Sequence, residues 1–427
     1  MRADDRIAPF RQCDDAPVSD MTLPDPDSMT AAERRAGMSL AAIFALRMLG
    51  LFLILPVFAA HAHLFEGGDN LTLVGLAIGA YGLAQAVLQL PFGAASDRFG
   101  RKPVIVTGLL IFIAGSVLAA LADNIYMVIL GRVLQGAGAI SAAVTALAAD
   151  LTRDQHRTKI MAMIGSSIGL VFALSMVAAP LLYAVVGMSG IFWLTALLAV
   201  GAIFVVLRVV PDAPPAPRPS PGRLRDVLRN GQLMRLNAGV FALHLIQTTM
   251  WVVVPAALVS GAGLAVPEHW KVYLPAVLLS FVVMVPAIIV AERRGLMKPV
   301  FNAAIVLLVI VQVGLYIYPD GVWSLGLWLT LFFIAFNVLE ATQPSWISRI
   351  APSDAKGMAL GVYNTLQSMG LFLGGMLGGW IGQHHGHSTI NAVCAVLALL
   401  WLVLALGMQA PARRTPAPAP APARQTG

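Results

Sequence analysis

The sequence predicts an all-α, polytopic membrane protein: twelve transmembrane helices arranged as two six-helix, pseudo-symmetric bundles. Three observations lead there. Of the 427 residues, 58% are hydrophobic and 11% charged, and the mean hydropathy is +0.79, far from the quarter of charged residues usual in soluble globular domains. Apolar stretches of about 20 residues, the length that crosses a bilayer as a helix, recur twelve times. Basic residues collect on alternate connections, as the positive-inside rule requires. Helix follows because an open sheet edge in lipid would leave backbone groups unpaired.

In chain order the stretches lie at roughly 39–60, 71–95, 103–122, 125–149, 160–187 and 189–210, then 236–260, 271–291, 299–318, 322–347, 356–382 and 389–409. Residues 1–37 mix acids and bases without an apolar core, so they read as a disordered cytoplasmic tail and not as a signal. The first bundle is expected over 38–210 and a cytoplasmic linker over 211–235. "PDAPPAPRPSPG" opens that linker with prolines that cannot continue a helix. The basic "RLRDVLRNGQLMRL" after it suits the inner membrane surface. The second bundle spans 236–409, and 410–427 is a Pro/Ala-rich tail expected to be disordered.

With both termini inside, the inner connections hold Arg98, Arg101, Lys102, Arg153, Arg157, Lys159, the linker arginines, Arg293, Arg294, Lys298, Arg349 and Lys356, while the outer ones hold Lys271 alone. The net charge of +7 is thereby assigned to anionic lipid heads, with no need of a nucleic-acid partner. The expected location is a bacterial inner membrane, and the expected state a monomer. Cys13 and Cys394 offer no disulfide framework and no CxxC motif. The outer "HHGH", His384 to His387, lacks further ligands, so neither a metal nor a cofactor is expected. No nucleophile, metal set or carboxylate cluster at a membrane face supports an enzyme or receptor.

The two halves repeat one another at three places. "FALR" with Arg47 opens span 1 and "FALH" with His244 opens span 7, followed by Pro56 and Pro255. "RVLQGAG" in span 4 aligns with "NVLEATQ" in span 10, placing Arg132 opposite Asn337 and Gln135 opposite Glu340. "SDRFGRKP" after span 2 is echoed by "AERRGLMKP" after span 8. Transporters are commonly built from such repeats, with a binding site between the halves and alternating access by rocking of one against the other.

Polarity agrees with that arrangement. Spans 3, 6, 9 and 12 carry few polar groups, as lipid-facing supports would. Tyr81, Gln85 and Gln89 in span 2 form a polar stripe, as do His244, Gln247, Thr248 and Trp251 in span 7 and Asn364, Gln367 and Ser368 in span 11. These stripes fit a shared central cavity lined also by Asn337. Interhelical hydrogen bonding in a packed bundle is the alternative.

"GAASDRFGRKP" resembles the signature loop of the major facilitator superfamily, GxxxDRxGRK, through Gly93, Asp97, Arg98, Gly100, Arg101 and Lys102. The resemblance implies a conformational latch, in which the acid caps span 11 in the outward-facing state and the second arginine pairs with an acid ending span 4, here Asp150. "RVLQGAGA" is similar to the family's RxxQGxGAA motif, associated there with proton transfer. The span 5 antiporter signature is eroded to "SMVAAPLLYA", which leaves the direction of transport open. "LRMLGLFLILPVF", "LHLIQ" and "FNVLEATQPSWIS" together resemble the YajR-like members of the drug:proton antiporter branch, here expected without the extra C-terminal soluble domain some of them carry.

Ionisable groups at membrane depth mark function by default. Glu340 is the one acid well inside a predicted span, and desolvation lets such a carboxyl change charge with its surroundings. His244 titrates near neutrality when unperturbed. Arg132 belongs to the proton-transfer motif, and Arg47 stays charged, biasing neighbours or attracting an anionic moiety. Structural roles compete: Arg47, about eight residues or roughly 12 Å from the inner end, is able to snorkel part of the way, and His244, Glu340 and Arg132 can serve as packing bonds. The expectation is a secondary transporter exchanging protons for a small amphipathic molecule, with a facilitator or symporter of the same fold as the alternative.

Overall fold

Proline and glycine decide where the helices break. In span 1, α1 (Ala31–Phe52) stops and α2 (Leu55–His61) restarts around Pro56, which has no N–H to continue the ladder. In span 4, α5 (Ile125–Ala137) and α6 (Ser141–Asp150) are separated at Gly138. Between them lie α3 (Leu71–Phe99) and α4 (Arg101–Ala120), divided at Gly100, whose φ of 96° favours glycine. The structure is a computed structural model and describes residues 29–212, 224–352 and 355–409. The tail expected to be disordered up to residue 28, the proline-rich linker from 213 to 223 and the Pro/Ala tail from 410 onward lie outside the described residues.

The longest helix, α7 (Asp154–Arg208), covers two predicted spans. At about 1.5 Å per residue it far exceeds one bilayer crossing of about 30 Å. It reverses at Gly187, whose φ of 64° and ψ of −173° are open essentially to glycine alone. The second half comprises the short α8 (Leu224–Arg229), then α9 (Gly231–Ser260), α10 (Trp270–Arg294), α11 (Met297–Ile317), α12 (Val322–Ile350), α13 (Lys356–His385) and α14 (His387–Leu406). Ten helical segments among the described residues are long and apolar enough to cross a membrane. The two further predicted spans are the second arm of α7 and the 30-residue α13, whose glycines and polar stripe lower its hydropathy.

Two boundaries move. The first helix begins at Ala31, inside the predicted tail, because Thr30 and Glu33 form a reciprocal cap: the Glu33 amide donates to Thr30 Oγ1 at 3.1 Å and the Thr30 amide to Glu33 Oε2 at 2.9 Å. Span 7 is helical from Gly231, within the predicted linker, because Asn230 accepts from the amides of Gln232 and Leu233.

We call inner the face where α1 begins and outer the opposite face. One apolar core is built from α9 to α14, with Phe172 and Met176 of α7 reaching into it. A second gathers the inner parts of the first half, and a third gathers its outer parts around Leu53, Val57 and Phe192 together with Val252 of α9. Large apolar residues of the supporting spans, such as Phe204 on α7, Ile310 on α11 and Val403 on α14, stay exposed, as lipid-facing positions should.

The halves meet most closely along α3 and α13. Gly75, Gly79 and Gly82 on α3 face Gly375, Gly379, Phe372 and Ser368 on α13. A Cβ added at Gly75 would lie 2.0 Å from the Gly375 carbonyl oxygen, and one at Gly379 would lie 2.2 Å from that of Leu71. Backbone lies directly on backbone there. At the outer rim the Leu71 amide donates to Gln383 Oε1 at 2.7 Å, and α2 packs on α9. This seam tightens toward the outer face: toward its inner part a Cβ added at Gly361 would meet only the Leu90 side chain, at 3.8 Å.

Candidate functional site

Two arginines lie deep in the first half. The break at Gly138 faces its carbonyl toward α1, where Arg47 Nη2 donates to it at 3.1 Å and to the Tyr81 hydroxyl at 2.8 Å, while Nη1 donates to Ser141 Oγ at 3.4 Å. Arg132 donates from Nη1 to Gln135 Oε1 at 2.8 Å and from Nε and Nη2 to the carbonyls of Ala77 and Ile78. Gln135 passes the chain on, donating to Ser116 Oγ at 2.8 Å. The Tyr81 ring centroid lies 5.8 Å from the Arg47 guanidinium carbon and 5.2 Å from that of Arg132, so one aromatic ring serves both cations. Both arginines are buried, and among the described residues neither meets a carboxylate.

The second half holds the acid. His244 on α9 places Nδ1 3.0 Å from the Val240 carbonyl, so that nitrogen carries the donated proton. Its Nε2 then accepts from the Gln367 amide of α13 at 2.7 Å and stands 3.6 Å from Glu340 Oε2 on α12. The same Gln367 amide lies 3.4 Å from Glu340 Oε1. Three predicted residues from three helices thus converge. The His244 side chain is 5% exposed and that of Glu340 36%, so the acid has the freer access. Asn337, one turn before Glu340, donates to Ser280 Oγ at 2.9 Å instead of joining the cluster, and Asn364 is half-buried on the helix that carries Gln367.

In this structure the polar groups fall into two clusters, one in each half. Arg47 and Arg132 are packed within the first half, away from His244 and Glu340. Tyr81, Gln85, Gln89, Gln247 and Trp251 are all buried. Gln89 has neither amide atom bonded. Trp251, expected to line the cavity, packs instead in an aromatic plug centred on Phe172 of the first half. The Phe172 ring centroid lies 6.4 Å from Trp251, 5.9 Å from Phe333, 6.2 Å from Phe336 and 5.2 Å from Phe52. With the outer seam shut, rings that would face water are pressed together, since burying them removes apolar surface from it.

At the inner face Arg101 joins three groups. Its Nε donates to Asp150 Oδ2 at 2.9 Å and its Nη1 to Ser96 Oγ at 2.8 Å and to Asp97. Lys102 binds Asp212 Oδ1 at 2.6 Å and the Val210 carbonyl, holding the exit of span 6. Arg98 lies over the Phe99 ring, and Gly93 passes Ala142 at ordinary contact distance. The echo after span 8 supplies a matching pair that the sequence reading did not find, Arg349 donating to Glu292 Oε1 at 2.9 Å. Also missed was the pairing of Arg153 with Glu33, whose two oxygens it grips at 2.9 Å, tying the start of α1 to the connection after span 4. Those hydrogen bonds raise the Arg153 pKa above its ordinary value.

Comparison with known proteins fits this architecture. The sequence pattern of the Major Facilitator Superfamily matches residues 40–368 and, overlapping them, 277–426. The inner membrane transport protein YajR of Escherichia coli (strain K12) is 45% identical over 388 residues, which is 90% of this chain and 85% of that protein. The multidrug resistance protein MdtH of Yersinia enterocolitica is 27% identical over 78% of this chain and 83% of its own. Among solved structures, a bacterial homologue of the human lysosomal transporter Spinster superposes with a TM-score of 0.71 at 12% identity, covering 89% of this chain and 97% of that one. The human organic anion transporter MFSD10 gives 0.67 at 19% identity, covering 88% and 100%. At such identities the likeness is one of fold.

Proposed function

The chain belongs to the major facilitator superfamily, and from that premise we propose that this secondary transporter is a proton-coupled exporter of small amphipathic molecules. It works as a monomer in a bacterial inner membrane, with both termini cytoplasmic. The observation that carries the reading is the His244–Glu340–Gln367 cluster: an imidazole and a carboxyl 3.6 Å apart at membrane depth, joined by one amide.

The amide gives the pair a means of coupling. With His244 neutral, Nδ1–H donates to Val240 and Nε2 accepts from Gln367. A proton on Nε2 turns that acceptor into a donor, so Gln367 must present its carbonyl or give up the bond, while the new N–H attracts Glu340. Gln367 adjoins Ser368, whose carbonyl faces Gly82 across the seam. Proton uptake at the pair is thus one residue from the contact between halves. Arg47 and Arg132 supply a fixed positive field, and the latch formed by Gly93, Asp97, Arg98, Gly100, Arg101, Lys102 and Asp150 steadies the inner ends as the halves rock. The substrate class is supported by the aromatic plug, which presents rings when the outer seam opens, and by the similarity to a multidrug resistance protein.

The test is transport of a fluorescent amphipathic dye from proteoliposomes. Dye movement should follow an imposed pH gradient, and Glu340→Gln should retain dye binding while losing the response to the gradient. Uphill dye movement that persists with the pH gradient collapsed would overturn the coupling.

A further inference from the structure

A cavity opens at the outer face of the second half, away from the central cluster. The Gly321 amide donates to the Gly261 carbonyl at 3.2 Å, which staples the connection between α11 and α12 over the end of α9. The staple holds the Asp320 carboxylate against Gly261, so closely that a Cβ there would lie 2.5 Å from Oδ1. α14 starts alongside at His387, after Gly386. Together they enclose about 260 Å³. Val253, Val254, Leu315 and Leu325 give the cavity an apolar floor, and Asp320 and His387 stand at its mouth.

Ser260 spends its hydroxyl on the Ala256 carbonyl, but two other polar groups of the lining are unused. Asn391 lines the cavity at 3% exposure, and its amide has no hydrogen-bond partner among the described residues. Asp320 has no cation paired with it there either. The Asn391 amide opens into the cavity without a protein partner and the exposed Asp320 carboxylate stands at its mouth without a paired cation, so the lining offers acceptors at one end and hydrocarbon at the other.

We propose that this cavity binds a small organic cation, its ammonium between the Asp320 carboxylate and the Asn391 carbonyl oxygen and its short alkyl tail on the floor. An anion would meet the carboxylate, and a neutral alcohol would leave that charge unmatched. The size suits a compact amine: the volume equals about nine water molecules. Because the cavity lies at the outer ends of spans 7, 9, 10 and 12, it is open to the outer medium while the seam between halves is shut. It acts as a peripheral site, distinct from the transport path.

The full chain in lipid nanodiscs, probed with n-butylammonium by saturation-transfer NMR and titration, tests this. Saturable binding is expected, weakened up to about five-fold by Asp320→Asn, the factor that an exposed ion pair of about 1 kcal/mol carries. Asn391→Leu should weaken it independently, and n-butanol should bind no better to the native chain than n-butylammonium does to Asp320→Asn. Asp320 is exposed, so its variant should fold with an unchanged Tm. The proposal is overturned by equal affinity for n-butanol, by unchanged affinity in Asp320→Asn, by the lack of any saturable signal, or by loss of binding in Glu340→Gln, which would place the amine at the central acid.

Discussion

Replacing Gly75 by alanine should push the protein out of its outer-closed state. The added Cβ would lie 2.0 Å from the Gly375 carbonyl oxygen and 2.9 Å from the Gly379 Cα. All of these are backbone atoms, so no side chain can swing aside. Reaching ordinary contact at 3.4 Å from 2.0 Å means parting the two helices by about 1.4 Å along that line. Overpacking of this order costs about 1–3 kcal/mol, which is about 5- to 150-fold in the equilibrium between arrangements with the seam shut and open. Alanine also favours helix over glycine by about 0.5–1 kcal/mol, so Gly169→Ala, with nothing within 4 Å of its Cβ, is the matched control. Spin labels at Leu64 and Trp323, exposed on the outer ends of the two halves, would report their separation in a background with Cys13 and Cys394 changed to serine. Gly75→Ala should move the distance distribution to longer values, and Gly169→Ala should leave it in place. An unchanged distribution would refute the assignment of the seam as the outer closure. A fall in Tm without a distance change would show that the contact maintains the fold and not the gate.

Tyr81→Phe removes the hydroxyl that receives Arg47 and should lower stability by about 1–3 kcal/mol, measured as a Tm shift in detergent, because a buried cation loses an acceptor. Gly187→Ala forces a side chain into backbone space open almost only to glycine and should cost about 1–3 kcal/mol by the same assay. Breaking the inner pair with Asp150→Arg should slow dye transport, and adding Arg101→Asp should restore part of it; failure of the double variant to recover would argue that Asp97 or Ser96 matters more than Asp150. Gln367→Leu should keep Glu340 in place yet shift the pH dependence of transport, and an unaltered pH profile would remove the amide from the coupling.

The helices were legible because lipid imposes a length and an apolarity that composition cannot hide, and the proline in span 1 marked its own break. The convergence of His244, Glu340 and Gln367 was also within reach, since the first two stand out as ionisable groups at membrane depth and the helical period put the third on a polar face. Periodicity names a face but not the neighbour across from it. Arg47 and Tyr81 were both noticed, yet no local pattern shows that they bond each other, or that the Gly138 break brings a carbonyl within reach of the same guanidinium. Phe172 was passed over because an aromatic in an apolar span carries no distinguishing signal. The seam did leave one: Gly75 and Gly79, and again Gly375 and Gly379, are spaced four apart, the small-residue pattern of close helix pairs. Glu33 was missed because its segment read as tail, whereas its cap makes it helix.

The two corner ion pairs carry opposite polarity. Arginine follows span 2 and an acid ends span 4 in the first half, while an acid ends span 8 and arginine ends span 10 in the second. Each closes within its own bundle, so its sign is invisible to the other bundle. Exchanging both partners in one bundle should therefore leave the other corner as it is, at the cost of the bonds that Arg101 also makes to Ser96 and Asp97.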